Sequence, residues 1–396
     1  MTAIHPNDAL SLVLADLPPP AQEILPLDKA CGRFLAKKVY AKIDQPPFDK
    51  SAMDGYAHCA VGPGLSGSWR VVSVIAAGDS PGKPLGTEEC ARIMTGAPIP
   101  AGAYAVQRRE YAREDSGSVW FTRTESCDNI IRQGENQKSG DLLLSPRRLK
   151  PQDIGLLASS GYSTVPVTRK VSVGIVSTGD ELTESGATLA AGKIYDSNGP
   201  QIAAQAAELG CDAKLFGIVR DNLTTLSDII GRTIAEYDVT ILSGAVSLGD
   251  FDYVPQTLEA LGVKELFHGL KMRPGKPTYY GRIGEKSVFG LPGNPVSTFV
   301  NFEILIKPHL LKRSGSNENP TELVLPLAAP LTRKGDDRVE YLPAKLESKP
   351  TRVRQLAYRG SSMLSALADA DCLIRIDIGV ESLQEGDPVH VRLIRP

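Results

Sequence analysis

Cysteine, histidine and tryptophan are scarce in this chain, and no sign of charge predominates. The six cysteines, Cys31, Cys59, Cys90, Cys127, Cys211 and Cys372, form no Cys-x-x-Cys pair and have no histidine at ligand spacing. Neither a zinc site nor a disulfide framework is indicated. The five histidines are isolated, so a Ser-His-Asp arrangement does not suggest itself. With 44 basic and 46 acidic residues the net charge is −2, which argues against nucleic acid as a partner. No apolar run approaches the ~18–20 residues a membrane helix needs, and no charged segment followed by an apolar stretch opens the chain. The expected location is cytoplasmic, with no membrane partner.

The 396 residues, 42% of them hydrophobic, suffice for two to four globular domains at roughly 100–200 residues each. Three Gly/Ser-rich segments, each after a hydrophobic run, carry the most information: Ser177-Thr178-Gly179-Asp180-Glu181, the stretch from Ser243 and Gly244 through Ser247 to Asp250 and Asp252, and Leu291-Pro292-Gly293-Asn294-Pro295. Backbone rich in N–H donors suits phosphate, whereas clustered carboxylates repel it. A divalent cation reconciles the two, because Mg²⁺ takes one or two protein carboxylates together with phosphate oxygens. These segments point to an enzyme for a phosphorylated or nucleotide-linked substrate.

From residue 170 onward, strand and helix patterns alternate: strands over 171–176, 213–219, 239–242 and 287–291, helices over 199–209, 223–235 and 295–311. This predicts a mostly parallel sheet with helices on both faces, whose ligand site lies beyond the carboxyl ends of the strands. All three segments fall there, as does Asp221. Upstream, apolar spacing predicts a helix over 7–17 capped by Asn7 or Asp8 and stopped by Pro18-Pro19-Pro20. Alternating segments over 69–75, 103–107 and 118–124 make 46–138 a β-rich module, inserted into an element made from both flanks. The polar stretch 314–320 reads as a linker, and short strands over 322–327, 371–378 and 388–393 suggest a small β-barrel.

Two nucleotide-binding patterns fail on context. Gly62-Pro63-Gly64-Leu65-Ser66-Gly67 fits Gly-x-Gly-x-x-Gly but lacks the flanking strand and helix, and reads as a turn. Around Gly269 and Gly275-Lys276 the P-loop spacing is one residue too long, and Pro277 replaces the required hydroxyl. Arg273-Pro274-Gly275-Lys276-Pro277 instead places two cations on a stiff turn suited to an oxyanion, or else exposed to solvent.

Several segments, in order along almost the whole chain, resemble the molybdopterin molybdenumtransferase family, that of MoeA and the gephyrin E domain. They are 46–57 (Pro46 to Ala57), Arg92-Ile93-Met94-Thr95-Gly96-Ala97-Pro98, Ser177 to Leu182, Asp196-Ser197-Asn198, Asp250 to Tyr253, Pro274-Gly275-Lys276-Pro277 and Leu291 to Ser297. The resemblance implies an α/β and β multidomain fold: an elongated subunit in four parts, homodimeric, with a doubly wound molybdopterin-binding α/β domain and a C-terminal β-barrel. On this chain the parts would be 22–45 plus 139–167, an inserted 46–138, 168–318 and 319–396, with a helix in 1–21 packed on the α/β domain. The implied chemistry is Mg²⁺-dependent insertion of molybdate into adenylylated molybdopterin with release of AMP, in molybdenum cofactor biosynthesis. An upstream molybdopterin adenylyltransferase is the implied protein partner.

By matching position, Glu181, Asp221 and Asp252 become the Mg²⁺-linked acids. Asp54 and Thr95 join the catalytic set from the inserted part, reaching across from the other subunit, and Lys276 completes it. Ser177, Thr178, Gly179, Asp180, Ser243, Gly244 and Ser247 would hold the pterin or its phosphate, with Pro292, Gly293, Asn294 and Pro295 beside them. Arg273, Lys276, Ser297, Arg338 and Ser362 would hold molybdate, a tetrahedral dianion that wants convergent cations and hydroxyls.

The chain departs from the family pattern at Asn136 and Tyr104, where Asp is usual, at Ala245 in place of a second Gly, and at Arg273 in place of Lys. Two alternatives stay open at this point: a catalytically weakened paralogue serving as a pterin-binding or scaffolding module, and a tungstate-inserting homologue.

Overall fold

The computed structural model describes residues 3–60, 65–220, 222–244, 253–349 and 351–395. They divide into two compact units, one of residues 1–23, 32–36 and 166–396, the other of 24–31 and 37–165.

In the first unit the strands Asp212–Val219, Ser172–Thr178, Val239–Ser243 and Lys286–Leu291 lie side by side in that order and run parallel. Tyr279–Ile283 and Lys264–His268 extend the sheet antiparallel. All five residues of Val239–Ser243 are buried, as a strand covered on both faces requires. Alternate side chains serve opposite faces. Val173, Ile175, Ile241 and Phe289 pack with Ile202 and Val300 of the helices Asn198–Glu208 and Pro295–Asn301. Val176, Leu242 and Val288 pack on the other face with Leu226, Ile230 and Leu258 of the helices Leu223–Glu236 and Val254–Ala260. Burying one such side chain contributes roughly 1.5–3 kcal/mol, so this two-faced core, rather than charge pairing, holds the sheet.

Strand order positions the site. The chain leaves Ser172–Thr178 for Asp212–Val219 on one side, then returns to Val239–Ser243 on the other. The crossovers therefore diverge between Thr178 and Ser243, and this switch point opens a crevice at the carboxyl ends of the strands.

Two helices differ from their sequence patterns. The first runs from Pro6 to Leu14, and its cap is His5, whose ring accepts from the Asn7 N–H at 3.2 Å. Pro6 starts it at a position that needs no N–H donor, ahead of Asn7 and Asp8. Its Ala9 and Val13 are buried in the same core as Val173 and Phe289. The helix expected over 295–311 is interrupted: Pro295–Asn301 is followed by a π-helical turn, Phe302–Ile306, then by Lys307–Arg313. Pro308 has no N–H and its ring crowds the carbonyl four residues back, so the ladder shifts register before it.

The remainder of this unit is a sheet in the order Met272–Arg273, Val339–Glu347, Cys372–Ile376, Pro388–Leu393, Glu322–Pro326. Arg352–Gln355 also pairs with Val339–Glu347, and a bridge between Leu327 and Val353 brings the end of Glu322–Pro326, the last strand of that order, to Arg352–Gln355. Leu342, Val353, Ile374 and Val391 fill its interior. Met272–Arg273 pairs parallel with Val339 and Glu340, which sets Arg273 directly beside Glu340.

The second unit is built on a six-stranded sheet ordered Ala105–Arg108, Gly55–His58, Glu89–Ile93, Trp69–Ile75, Ser118–Phe121, Ala112–Asp115. Ala57, Ile75, Ile93 and Val106 form one of its cores. Among the described residues no helix is long and apolar enough to cross a membrane.

Candidate functional site

At the switch point lies a cavity of about 430 Å³ lined by Thr178, Glu181, Leu182, Ile194, Asn198, Ser243, Gly244, Pro277, Pro292, Gly293 and Asn294. Its floor is rigid. The Thr178 hydroxyl donates to the Ser243 carbonyl (3.2 Å), the Gly244 N–H to that of Leu291 (3.1 Å), and the Thr298 hydroxyl to that of Pro292 (2.6 Å). Gly244 has φ +90°, and a Cβ there would lie 2.3 Å from the Thr178 carbonyl oxygen. Only glycine permits that approach of two strand ends. Asn198 donates its Nδ2 to the Gly293 carbonyl (2.7 Å), and Gly199 N–H donates to Asp196 (3.0 Å).

Glu181 is carried on the turn after Thr178. At Gly179, φ is +145° and a Cβ would fall 2.5 Å from the Glu181 carboxylate. The missing side chain is what lets that carboxylate fold back over the turn.

A second cavity, of about 780 Å³, adjoins the first, with Pro277, Pro292 and Asn294 lining both. Its cations are Arg273, Lys276, Arg333, Lys334, Arg338 and Arg359, against one carboxylate, Glu340. The turn carrying Lys276 is locked from beneath. Gly275 has φ +107°, and a Cβ there would lie 2.1 Å from Asn301 Nδ2; the buried Thr278 hydroxyl bonds both the Gly275 carbonyl (2.8 Å) and Asn301 Oδ1 (2.8 Å).

Arg333 donates to the carbonyls of Val380, Arg338 and Asp377 at 2.5, 2.7 and 2.6 Å, and Arg273 donates to that of Lys334 at 2.7 Å. Glu340 Oε1 lies 3.8 Å from Arg273, and its Oε2 3.8 Å from Arg333. Burial pushes the Glu340 carboxyl up from its ordinary range, against the pull of Arg273, Arg333 and Arg338. Burial, with Glu340 nearby, also pushes the Tyr358 hydroxyl up to about 12. Lys276 and Arg359 are exposed, leaving their charge to a ligand.

In the second unit, Asp54 Oδ1 accepts from the Thr95 N–H (2.7 Å) and from its hydroxyl (2.8 Å). The backbone hydrogen bond, then the hydroxyl, hold the Asp54 carboxyl below its ordinary range.

The expected residues thus separate into groups. Thr178, Glu181, Ser243, Gly244 and Gly293 line the strand-end cavity; Arg273, Lys276, Ser297 and Arg338 line the cationic one; Pro292 and Asn294 line both. Ser177 is buried beneath, Gly179 and Asp180 shape the turn, and Pro295 opens the following helix. Ser362 does not line the cavity; its neighbour Ser361 does, and the Ser361 carbonyl accepts from Val296 N–H at 3.0 Å. Asp221, Ser247 and Asp252, like Ala245, lie outside the described residues.

Among the described residues no three His, Cys, Asp or Glu side chains are grouped as for a metal. Glu181 with the hydroxyls of Thr178 and Ser243 is an all-oxygen set, which fits a hard cation such as Mg²⁺ completed by substrate phosphate. Asn136 is exposed, with its N–H donating to the Gln45 carbonyl at 2.9 Å, and Tyr104 is half exposed. Sequence reading missed Arg333, Lys334, Glu340 and Tyr358, which nothing local marks. Asn198 stood in a segment already singled out, without a role, and Arg359 lies three residues before Ser362.

A hydroxyl- and glycine-lined crevice at a switch point, sharing a wall with an arginine- and lysine-lined cavity, marks an α/β multidomain protein with a cation-rich site. Its sequence matches three family models in succession: the MoeA N-terminal region (domain I and II) over residues 4–161, the "Probable molybdopterin binding domain" over 174–312, and the MoeA C-terminal region (domain IV) over 324–394. The chain belongs to the MoeA family of molybdopterin molybdenumtransferases. It is 33% identical to the molybdopterin molybdenumtransferase of Staphylococcus aureus (strain COL) over 376 residues, covering 93% of this chain and 90% of that one. With the Bacillus subtilis (strain 168) protein of the same name it shares 35% identity over 392 residues, covering 94% and 90%. The crystal structure of a molybdopterin biosynthesis MoeA protein from Pyrococcus horikosii superposes with a TM-score of 0.87 at 32% identity, covering 100% of each chain.

Proposed function

We propose that this protein is a transferase of molybdenum cofactor biosynthesis that inserts molybdate into adenylylated molybdopterin with release of AMP, in the cytoplasm. The observation that carries the reading is the shared wall of Pro277, Pro292 and Asn294 between the two cavities. A phosphate-bearing pterin in the strand-end cavity would present its dithiolene to an oxyanion held next door. Names and family models of the relatives support the same reading.

The residues divide the work. The Ser243 hydroxyl is offered to the pterin phosphate, on strand ends that Thr178 and Gly244 hold in place. Lys276, Arg338 and Arg273 neutralise the oxyanion and hold it by charge-assisted hydrogen bonds, with the Ser297 hydroxyl beside them. Glu181, with Asp221 and Asp252, would hold Mg²⁺, which when bound supplies charge neutralisation at the phosphoanhydride. Asp54 is assigned to the same reaction, with Thr95 fixing its carboxylate in the ionised form; the order within that pair is the support. The domain division 1–21, 22–45 with 139–167, 46–138, 168–318 and 319–396, and a homodimer, belong to the same proposal; sedimentation of the purified protein tests the second.

The test is incubation with adenylylated molybdopterin, Mg²⁺ and molybdate, following AMP and the reconstitution of an apo-molybdoenzyme. Molybdate-dependent AMP release with active cofactor is the expected result. Pterin binding without AMP release would overturn it. Tungstate added in competition reads the preference between the two oxyanions.

A further inference from the structure

The strand-end cavity contains an apolar pair to which the reading above gives no task. Leu182–Thr183 and Ile194–Tyr195 form a short parallel ribbon in which Leu182 and Ile194 are direct cross-strand partners, and both line the cavity. Their positions are fixed by backbone. The Leu182 N–H donates to the Gly179 carbonyl (3.2 Å), the Ile194 N–H to that of Glu181 (2.9 Å), and the Asp196 N–H to that of Thr183 (2.9 Å). Beyond the ribbon, the Tyr195 hydroxyl donates to the Ala187 carbonyl at 3.0 Å.

Ile194 is nevertheless 56% exposed. A single exposed isoleucine needs no explanation. Two adjacent aliphatic side chains on one wall of a ligand-sized cavity whose floor is hydroxyl and amide are a different matter. Ligand cavities of about 300–1,000 Å³ typically combine such an apolar surface with a few polar groups that set orientation. The other apolar contributors, Pro277 and Pro292, belong to the wall shared with the cationic cavity. A flat ligand lying on Leu182 and Ile194 would therefore be bordered by the prolines on the oxyanion side and by Ser243 and Gly244 at the strand ends.

We propose that Leu182 and Ile194 are the platform on which the planar heterocycle of the substrate lies, and so are specificity-determining residues for a pterin rather than for the oxyanion. This rests on the transferase reading of the same cavity. The platform makes only van der Waals and hydrophobic contact, equal in ground and transition states, so its loss alters binding and not turnover.

The experiment compares wild type with Leu182→Ser, Ile194→Ser and the conservative Ile194→Leu. Steady-state AMP release is measured with adenylylated molybdopterin and with molybdate each varied in turn, and the Kd for molybdopterin is taken from its fluorescence. Circular dichroism and thermal unfolding check the fold, which the exposed Ile194 position should tolerate. The serine variants should raise the KM for adenylylated molybdopterin and the molybdopterin Kd about tenfold each, with kcat and the molybdate KM unchanged, and Ile194→Leu should restore wild-type values. An unchanged pterin KM in a wild-type-like fold would overturn the platform while leaving the transferase reading intact. A fall in kcat, or equal rises in both KM values, would also overturn it, since that is the behaviour of a collapsed turn. If wild type itself neither binds molybdopterin nor releases AMP, the functional reading fails and the platform falls with it.

Discussion

The two cavities share three residues yet are constructed in opposite ways. The strand-end cavity is made of backbone and of side chains that have almost no freedom: Thr178 is 1% exposed, Ser243 2%, and Gly244 fits only because it has no Cβ. The cationic cavity is made of side-chain charge: Lys276, Lys334 and Arg359 are exposed, and Arg273 and Arg333 are aimed by backbone carbonyls. Shape is therefore the quantity that the first site protects and charge the quantity that the second protects. Substitutions should report the difference, since a lost shape disturbs folding and binding together whereas a lost charge disturbs binding alone.

The hardest test of that contrast is Gly244→Ala. The new Cβ meets the Thr178 carbonyl and the backbone is held at φ +90°. A loss of about 1–3 kcal/mol of stability and of measurable pterin binding is expected. Unchanged thermal unfolding would show that the strand ends are not rigid. Lys276→Ala and Arg338→Ala should each raise the molybdate KM about ten- to a hundredfold, as the loss of a charge-assisted hydrogen bond implies. Thermal unfolding should move by no more than about 0.5 kcal/mol for the exposed Lys276. Added salt should weaken oxyanion binding at this cavity more than pterin binding at its neighbour.

Glu181→Gln removes one charge from the oxygen set without changing its shape. The Mg²⁺ concentration for half-maximal AMP release should rise about tenfold, and an unchanged titration would take Glu181 out of the Mg²⁺ assignment.

The smallest effect sharpens the comparison through pH. The Glu340 carboxyl is raised in the folded protein, so its neutral form is favoured there and the associated stability is present below the unfolded carboxylate range and lost as pH rises through the folded value. A dianion bound nearby favours the neutral form further, and binding takes up protons. Molybdate affinity should accordingly strengthen a few-fold as pH falls through that window. In Glu340→Gln this slope should vanish; if it persists, another group is responsible.

Much of this organisation was legible from the chain alone. The strands Trp69–Ile75 and Pro388–Leu393 fall where the sequence reading placed them, and the parallel strands begin and end within two residues of their expected bounds. Gly179, Gly244 and the Leu291-Pro292-Gly293 turn were visible because a site at strand ends needs residues that local sequence displays. Arg333 and Glu340 were not. Their importance comes from the pairing of Met272–Arg273 with Val339 and Glu340, a contact between segments that no local pattern joins. The placing of Ser361 rather than Ser362 on the cavity wall has the same origin. Which of two adjacent serines faces a cavity depends on the path of the loop, here tied by Val296 to the Ser361 carbonyl.

By itself the sequence determined the elements, through hydrophobic periodicity, and the residue types of the site, through glycine, proline and carboxylate spacing. Those signals depend on neighbours along the chain, whose geometry is set by bond lengths and side-chain period. Tertiary structure alone decided that there are two adjoining cavities, that a buried carboxylate stands among the arginines of one, and that an aliphatic pair is left open in the other. Burial, cross-strand register and the sharing of a wall are properties of segments distant in sequence, and they exist only once the sheet and the C-terminal strands have packed.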